Sequence, residues 1–106
     1  MTAADQFPMD EQTIYHAKVC QALADPKRIR ILYALDDRPR HVTGLAQDLD
    51  IPQPTVSRHL RVLKQQALVK GERVGAAVIY SINDKRIIEA LNTVHEIMVE
   101  NIGEKS

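Results

Sequence analysis

Residues 51–66 read IPQPTVSRHLRVLKQQ, and the two edges of this run decide the fold. Val56, Leu60 and Leu63, with Ala67 one further step along, recur at i, i+4, i+7 and i+11. That spacing predicts a helix with one buried stripe. Gln53, Thr55 and Ser57 fall elsewhere on the same helix, with Arg58, His59, Arg61 and Lys64 around them. A helix built only to pack would not gather small hydrogen-bonding groups and cations on its free edge.

Upstream, Asp50-Ile51-Pro52 is too short for anything but an abrupt change of direction. Before it, Thr43 is the expected cap of a short helix carrying Leu45, Ala46 and Leu49. Asp36 through Arg40 reads as a loop. Asp25-Pro26 combines a capping carboxylate with proline at the first helical position. The helix it opens carries Ile29, Leu32 and Tyr33, its apolar face widened by Ile31 and Leu35. A first helix is expected from a cap at Asp10, with Tyr15, Val19 and Ala22 on one side. Downstream the period changes from helix to strand. Leu68–Lys70 and Val78–Ile82 are β-prone and joined by 71–77, a hairpin with a glycine-bearing, basic tip. A last helix, capped by Asn83 or Asp84, aligns Ile87, Leu91, Val94, Met98 and Ile102, with Ile88 and Val99 beside them. The chain is thus read as one mainly α domain with a small β-hairpin (α+β) over 10–102, between a flexible tail at 1–9 and another at 103–106.

The bulk properties fit a globular chain of 106 residues with 44% apolar and 26% charged content. No apolar run approaches the ~20 residues that cross a bilayer, so no membrane association and a cytoplasmic location are expected. A single cysteine, Cys20, excludes an internal disulfide and a multi-thiolate cage within one chain. Fourteen basic and fourteen acidic residues give zero formal net charge, but they are unevenly spread. Over 53–75, Arg58, Arg61, Lys64, Lys70 and Arg73 stand against Glu72 alone, a local charge of +4 that leaves −4 on the rest. A basic stretch on an acidic body is the footprint of a protein that docks one face on phosphate.

Short helix, tight turn, second helix and hairpin is the order of a winged helix-turn-helix. In that arrangement the second helix enters the major groove of double-stranded DNA with its N-terminal residues at the base edges. Gln53, Thr55, Ser57 and Arg58 are assigned to reading bases. Arg61, Lys64 and Arg73 are assigned to anchoring on phosphate. For His59, beside Leu60, two roles are open: contact with DNA, or a hydrogen bond that orients the helix.

With ALADPKRIRILYAL at 22–35, QPTVSRHLRVLKQQALVKGERVG at 53–75 and VIYSI at 78–82, the chain resembles the ArsR/SmtB family of small bacterial repressors from about Tyr15 to Met98. The resemblance implies a homodimer that represses a promoter and is released by a ligand. The breadth of the apolar face on the last helix independently suggests dimerisation through the N- and C-terminal helices and an inverted-repeat operator. Two metal sites that the family uses look absent. The segment HVTGLAQDLD at 41–50 carries no cysteine. On the last helix Asp84 and Glu100 remain, but Arg86 and Ile97 stand where imidazoles would be expected. No cofactor is expected.

What remains for an effector is His16 and Cys20, spaced i, i+4 on the first helix, with His95 of the last helix as a third candidate donor for a metal. Cys20 alone is a candidate thiol switch. An organic ligand between the terminal helices is a further option. No phosphate loop, paired catalytic carboxylates or nucleophile–base set is visible, so an enzyme is not expected. The rival class is a winged-helix module that binds protein, against which the basic segment argues.

Overall fold

The computed structural model describes residues 10–102; the tails expected at 1–9 and 103–106 lie outside the described residues. Among the described residues five helices and one hairpin follow in the order α1 (Glu11–Ala22), α2 (Pro26–Asp37), α3 (Val42–Leu49), α4 (Gln53–Gln65), β1 (Val69–Val74), β2 (Ala77–Ile82) and α5 (Arg86–Asn101).

The capping logic places the first two helices. Asp10 accepts from the Thr13 amide at 2.9 Å, and Asp25 from those of Lys27 and Arg28 at 2.8 and 3.3 Å. Each carboxylate satisfies amides that have no partner within the helix and sits at the positive end of its dipole. For Asp25, burial works to raise the pKa, but the two amides together with the charges of His59 and Arg28 outweigh it, and the carboxyl lies below its ordinary value. The third cap differs from expectation. His41, not Thr43, precedes α3, and its Nδ1 accepts from the Gly44 amide at 3.2 Å. An imidazole with a free ring nitrogen can do what a hydroxyl does, and Thr43 falls inside the first turn.

α4 is the central element. Val56, Leu60 and Leu63 are 0–2% exposed. They share the core with Ile31, Leu32 and Leu35 of α2, Leu45 of α3, Ile51 of the turn, and Leu68 and Val69 at the start of the hairpin. Ala67 does not continue the stripe. It lies beyond the helix at φ 59° and is exposed, because the chain must reverse there to enter β1. Asp50, at φ 54°, makes the other sharp turn. In α2 the buried stripe is Ile31, Leu32 and Leu35, while Ile29 and Tyr33 lie to one side, facing α5. The Tyr33 hydroxyl donates to Asn92 Oδ1 there at 2.7 Å.

The hairpin is longer than the sequence pattern suggests. Its antiparallel register runs from Val69 opposite Ile82 to Val74 opposite Ala77, so the turn is Gly75-Ala76 alone, with Gly75 at φ 62°. Gly71 is a strand residue rather than part of the tip. A Cβ on it would meet Val78 Cγ1 at 3.0 Å and Tyr80 Cε1 at 3.3 Å, so glycine here leaves room for the Val78 and Tyr80 side chains of the opposite strand. The expected loop at 36–40 is also partly ordered. α2 runs on through Asp37, and Arg40 forms an antiparallel bridge with Tyr80, with amides donating both ways at 3.1 and 2.9 Å.

At the start of α5, Asp84 accepts from the Arg86 amide at 2.9 Å, whereas Asn83 donates to the Ala67 carbonyl at 2.9 Å and ties the hairpin to the end of α4. Ile88 is buried, but Val94 and Ile102 are 64% and 66% exposed, and Ile97, Met98 and Val99 are also open. At the other end of the chain Ile14 and Tyr15 of α1 are exposed too. α1 meets the body through its final turn, where Ala22 is buried and Val19 and Leu23 pack on the core.

Because Leu63 is fully buried at the junction of α4 and β1, Leu63→Ala is expected to lower unfolding free energy by about 2–5 kcal/mol. Lys64→Ala, on the exposed edge, should change it by no more than about 0.5 kcal/mol. Urea denaturation of both variants at one protein concentration checks this, and equal losses would contradict the packing described.

Candidate nucleic-acid interface

The fold displays the free edge of α4 as a strip of donors and acceptors. Gln53, Ser57, Arg58, Arg61 and Lys64 are exposed, and Thr55 is half-buried. Arg58 Nη2 donates to Thr55 Oγ1 at 3.2 Å, so the guanidinium lies along the N-terminal turn. Gln53 is near Thr43 of α3, whose hydroxyl donates to Gln53 Oε1 at 3.4 Å. Residue 53 therefore sits where α3 and α4 meet. Further along, Ser57, Arg61 and Lys64 border a shallow depression of about 260 Å³ closed by Leu60 and Tyr80. That depression joins the helix edge to the hairpin.

Arg73 is exposed, but it is not in the turn. It lies on β1 opposite Val78, one pair away from the pair that flanks the turn. Lys70 is exposed on the same strand. The cations of the 53–75 segment are therefore offered from two elements, the helix and the wing.

His59 is turned differently. Its Nδ1 lies 3.4 Å from Arg28 Nη1. A guanidinium can only donate, so the imidazole accepts at Nδ1 and is neutral in this arrangement. Arg28 is itself held by the Ala22 carbonyl through Nε at 2.6 Å and by the Gln21 carbonyl through Nη2 at 3.1 Å. The contact thus runs from the end of α1 through α2 to α4. Burial lowers the His59 pKa from its ordinary 6.5. Asp25 opposes this, and the charges of Arg28, Lys27 and Arg58 reinforce it.

Two residues of this framework were not singled out from the sequence. Arg28 stands in the quoted DPKR run, but nothing local shows that it faces residue 59, thirty-one positions away. Arg40 is the second. Its side chain is 12% exposed, forms ion pairs with Asp48 and Asp37, and donates to the Ala34 carbonyl at 2.7 Å. It fixes the loop between α2 and α3 beside the wing.

The candidate effector residues are not drawn together. His16 and Cys20 are exposed on α1. His95 lies on α5 beside a small apolar cleft formed with Ile29, Tyr33, Leu91, Val94 and Met98. Among the described residues no group of three or more His, Cys, Asp or Glu side chains is placed to hold a metal ion. Asp84 is engaged by Arg86, whose Nη2 donates to it at 2.6 Å. This bond, with the Arg86 amide, lowers the Asp84 pKa to about 2. Among the described residues, no helix is long and apolar enough to cross a membrane.

A short helix, a turn, a helix clamped by its apolar edge and a two-stranded wing define a winged helix-turn-helix DNA-binding regulator. Comparison with known proteins gives the family. Residues 25–70 match the family model described as bacterial regulatory protein, arsR family. The chain is 40% identical over 86 residues to the HTH-type transcriptional regulator NmtR of Mycobacterium tuberculosis, which spans 80% of this chain and 72% of that protein. It is also similar to the crystal structure of Rv0081 from Mycobacterium tuberculosis, with a TM-score of 0.80 and 31% identity over 91% of this chain and 97% of that one. The homodimeric winged helix-turn-helix DNA-binding domain of Mb0332 from Mycobacterium bovis, solved by NMR, gives a TM-score of 0.79 at 27% identity, covering 88% and 86% of the two chains. The chain belongs to the ArsR family of transcriptional regulators.

The environment of His59 sets a pH dependence. With its folded pKa held below 6.5, the unfolded chain takes up the proton more readily. This contribution is therefore intact above the unfolded value and is lost as pH falls through the folded one. Between about pH 7.5 and pH 5, wild-type protein should lose more stability than His59→Gln. Equal losses in urea midpoint would show that the Arg28 contact does not favour neutral imidazole.

Proposed function

We propose that the chain is a ligand-released transcriptional repressor, acting in the cytoplasm as a homodimer on an inverted-repeat operator. The observation that carries this reading is the exposed polar edge of α4 running without interruption toward a wing that bears Lys70 and Arg73. A side chain reads sequence only if it reaches base edges in the groove, and the first turns of a recognition helix are what enter there. Gln53, Thr55, Ser57 and Arg58 occupy those turns and are the base-reading set. Arg61 and Lys64 lie further along, and Arg73 lies on the wing, where they neutralise phosphates on either side of the groove. His59 acts as an orienting residue, since its ring is taken up by Arg28.

The homodimer is supported by the apolar surface left at both ends of the chain, Ile14 and Tyr15 on α1 and Val94 through Ile102 on α5. Soluble proteins rarely leave apolar patches of this kind open. Pairing of the terminal helices covers both and sets two copies of α4 about one helical turn of DNA apart, ~34–36 Å. The related Mb0332 domain is homodimeric. The expected result in sedimentation at micromolar concentration is a dimer of the 12.0 kDa chain, and a monomer would contradict this arrangement.

Selection from random duplexes tests the division of labour. Gln53→Ala should change the order of preferred sites. Arg61→Ala should weaken all sites alike and reduce the slope of log affinity against log salt by about one. An unchanged order of preference in Gln53→Ala would remove that residue from the reading set.

A further inference from the structure

The depression of about 260 Å³ between the free edge of α4 and the wing is lined by Ser57, Leu60, Arg61, Lys64 and Tyr80, with no acidic residue among them. We propose that it seats one backbone phosphate of the operator, and that Tyr80, through its hydroxyl, is a further DNA-contacting residue there. This deepens the DNA-binding reading above and rests on it. The phosphate falls to Arg61, Lys64 and Tyr80, while Ser57 keeps its place toward the bases.

The groups around the depression are free to meet an anion. Arg61 and Lys64 are exposed, and neither has an ion-pair or hydrogen-bond partner among the described residues. Tyr80 differs from them because its ring is packed on the core. A packed tyrosine ordinarily finds a partner for its hydroxyl. The Tyr80 hydroxyl has none among the described residues, yet it is not sealed off from solvent. It is therefore an accessible donor at the surface, left for water or for a ligand.

The local structure holds that donor in place. Tyr80 pairs with Gly71 across the hairpin, and the missing Cβ there leaves room for its ring. Its backbone exchanges two hydrogen bonds with Arg40, at 3.1 and 2.9 Å, and Arg40 is itself held by Asp48 and the Ala34 carbonyl. A hydroxyl on a ring fixed in this way gives up little freedom on binding, unlike the long side chains of Arg61 and Lys64. The surroundings favour a DNA strand over a lone ion. Tyr80 also lines a second depression, of about 450 Å³, between His41 and Thr43 at the start of α3 and Ala76 and Val78 of the wing. The two hollows meet at its ring. A sugar-phosphate chain is held at successive points along such a track, whereas a free ion is held at one.

The test compares wild type, Tyr80→Phe and Arg61→Ala on a duplex recovered by selection from random sequence. Tyr80→Phe keeps the ring and should leave the urea midpoint nearly unchanged. It should weaken binding about tenfold, the loss of one hydrogen bond to a charged group. A hydroxyl carries no charge, so the slope of log affinity against log salt should stay at the wild-type value, unlike that of Arg61→Ala. Each phosphate is then replaced in turn by uncharged methylphosphonate. At one position per half-site the cost of Tyr80→Phe should fall below about twofold, and the cost of Arg61→Ala should shrink at the same position. Wild-type affinity in Tyr80→Phe would overturn the proposal, as would a penalty equal on every substituted duplex, the mark of an indirect effect through the fold. A changed order of preferred sites would also overturn it, since that indicates contact with a base. So would saturable binding of inorganic phosphate alone, lost in Tyr80→Phe, with Kd below about 1 mM, the mark of a small-anion site. Failure of the wild type to bind any duplex sinks the DNA-binding role itself; salt-dependent binding with an indifferent Tyr80→Phe sinks this proposal alone.

Discussion

Burial of Val56, Leu60 and Leu63 is the constraint on which the molecule turns. These side chains lock one edge of α4 into a core shared with α2, α3 and the root of the hairpin, each contributing about 1.5–3 kcal/mol by removal from water. In a helix of 3.6 residues per turn, fixing one edge fixes the other. Gln53, Ser57, Arg58, Arg61 and Lys64 are exposed because they fall outside the arc of the helix held by Val56, Leu60 and Leu63. The exposed polar strip is thus a geometric consequence of core packing and needs no separate device to present it.

Electrostatics then refines what packing sets. Asp25 caps α2, which positions Arg28, and Arg28 in turn reaches back to the carbonyls ending α1 and forward to His59 on α4. Arg40 does the same on the opposite side, binding Asp48 of α3 and the Ala34 carbonyl while its backbone pairs with Tyr80 of the wing. Two arginines therefore brace the helix-turn-helix, one at the α1 side and one at the wing side. Both lie outside the exposed polar edge of α4. Substituting either should disturb the angle between elements rather than remove a contact with DNA.

Much of this was legible in the sequence because it is local. A carboxylate followed by proline marks the start of α2, the Val56–Leu63 stripe marks a half-buried helix, and Asp50-Ile51-Pro52 leaves room only for a turn. The errors share a physical origin in longer-range structure. Thr43 is the ordinary choice of cap, but the chain's course places His41 there. Ala67 continues the apolar spacing, yet the link to β1 needs a left-handed residue at that point. The strands extend to Val74 and from Ala77 because cross-strand pairing recruits residues of little β-propensity, among them Gly71. Arg28 and Arg40 gain their roles from partners distant in sequence, which no periodicity reveals. The orientation of His59, open between two roles in sequence, follows from one of these contacts.

The central claim is that the clamped edge of α4 leaves its polar edge, together with the wing, to meet duplex DNA. Backbone amide perturbation mapping of the labelled protein on a bound operator fragment tests it most directly. The account predicts the largest changes at Gln53, Ser57, Arg58, Arg61, Lys64 and Arg73, with Ile97 through Ile102 of α5 little altered. Changes concentrated on α5, with the polar edge of α4 silent, would contradict it.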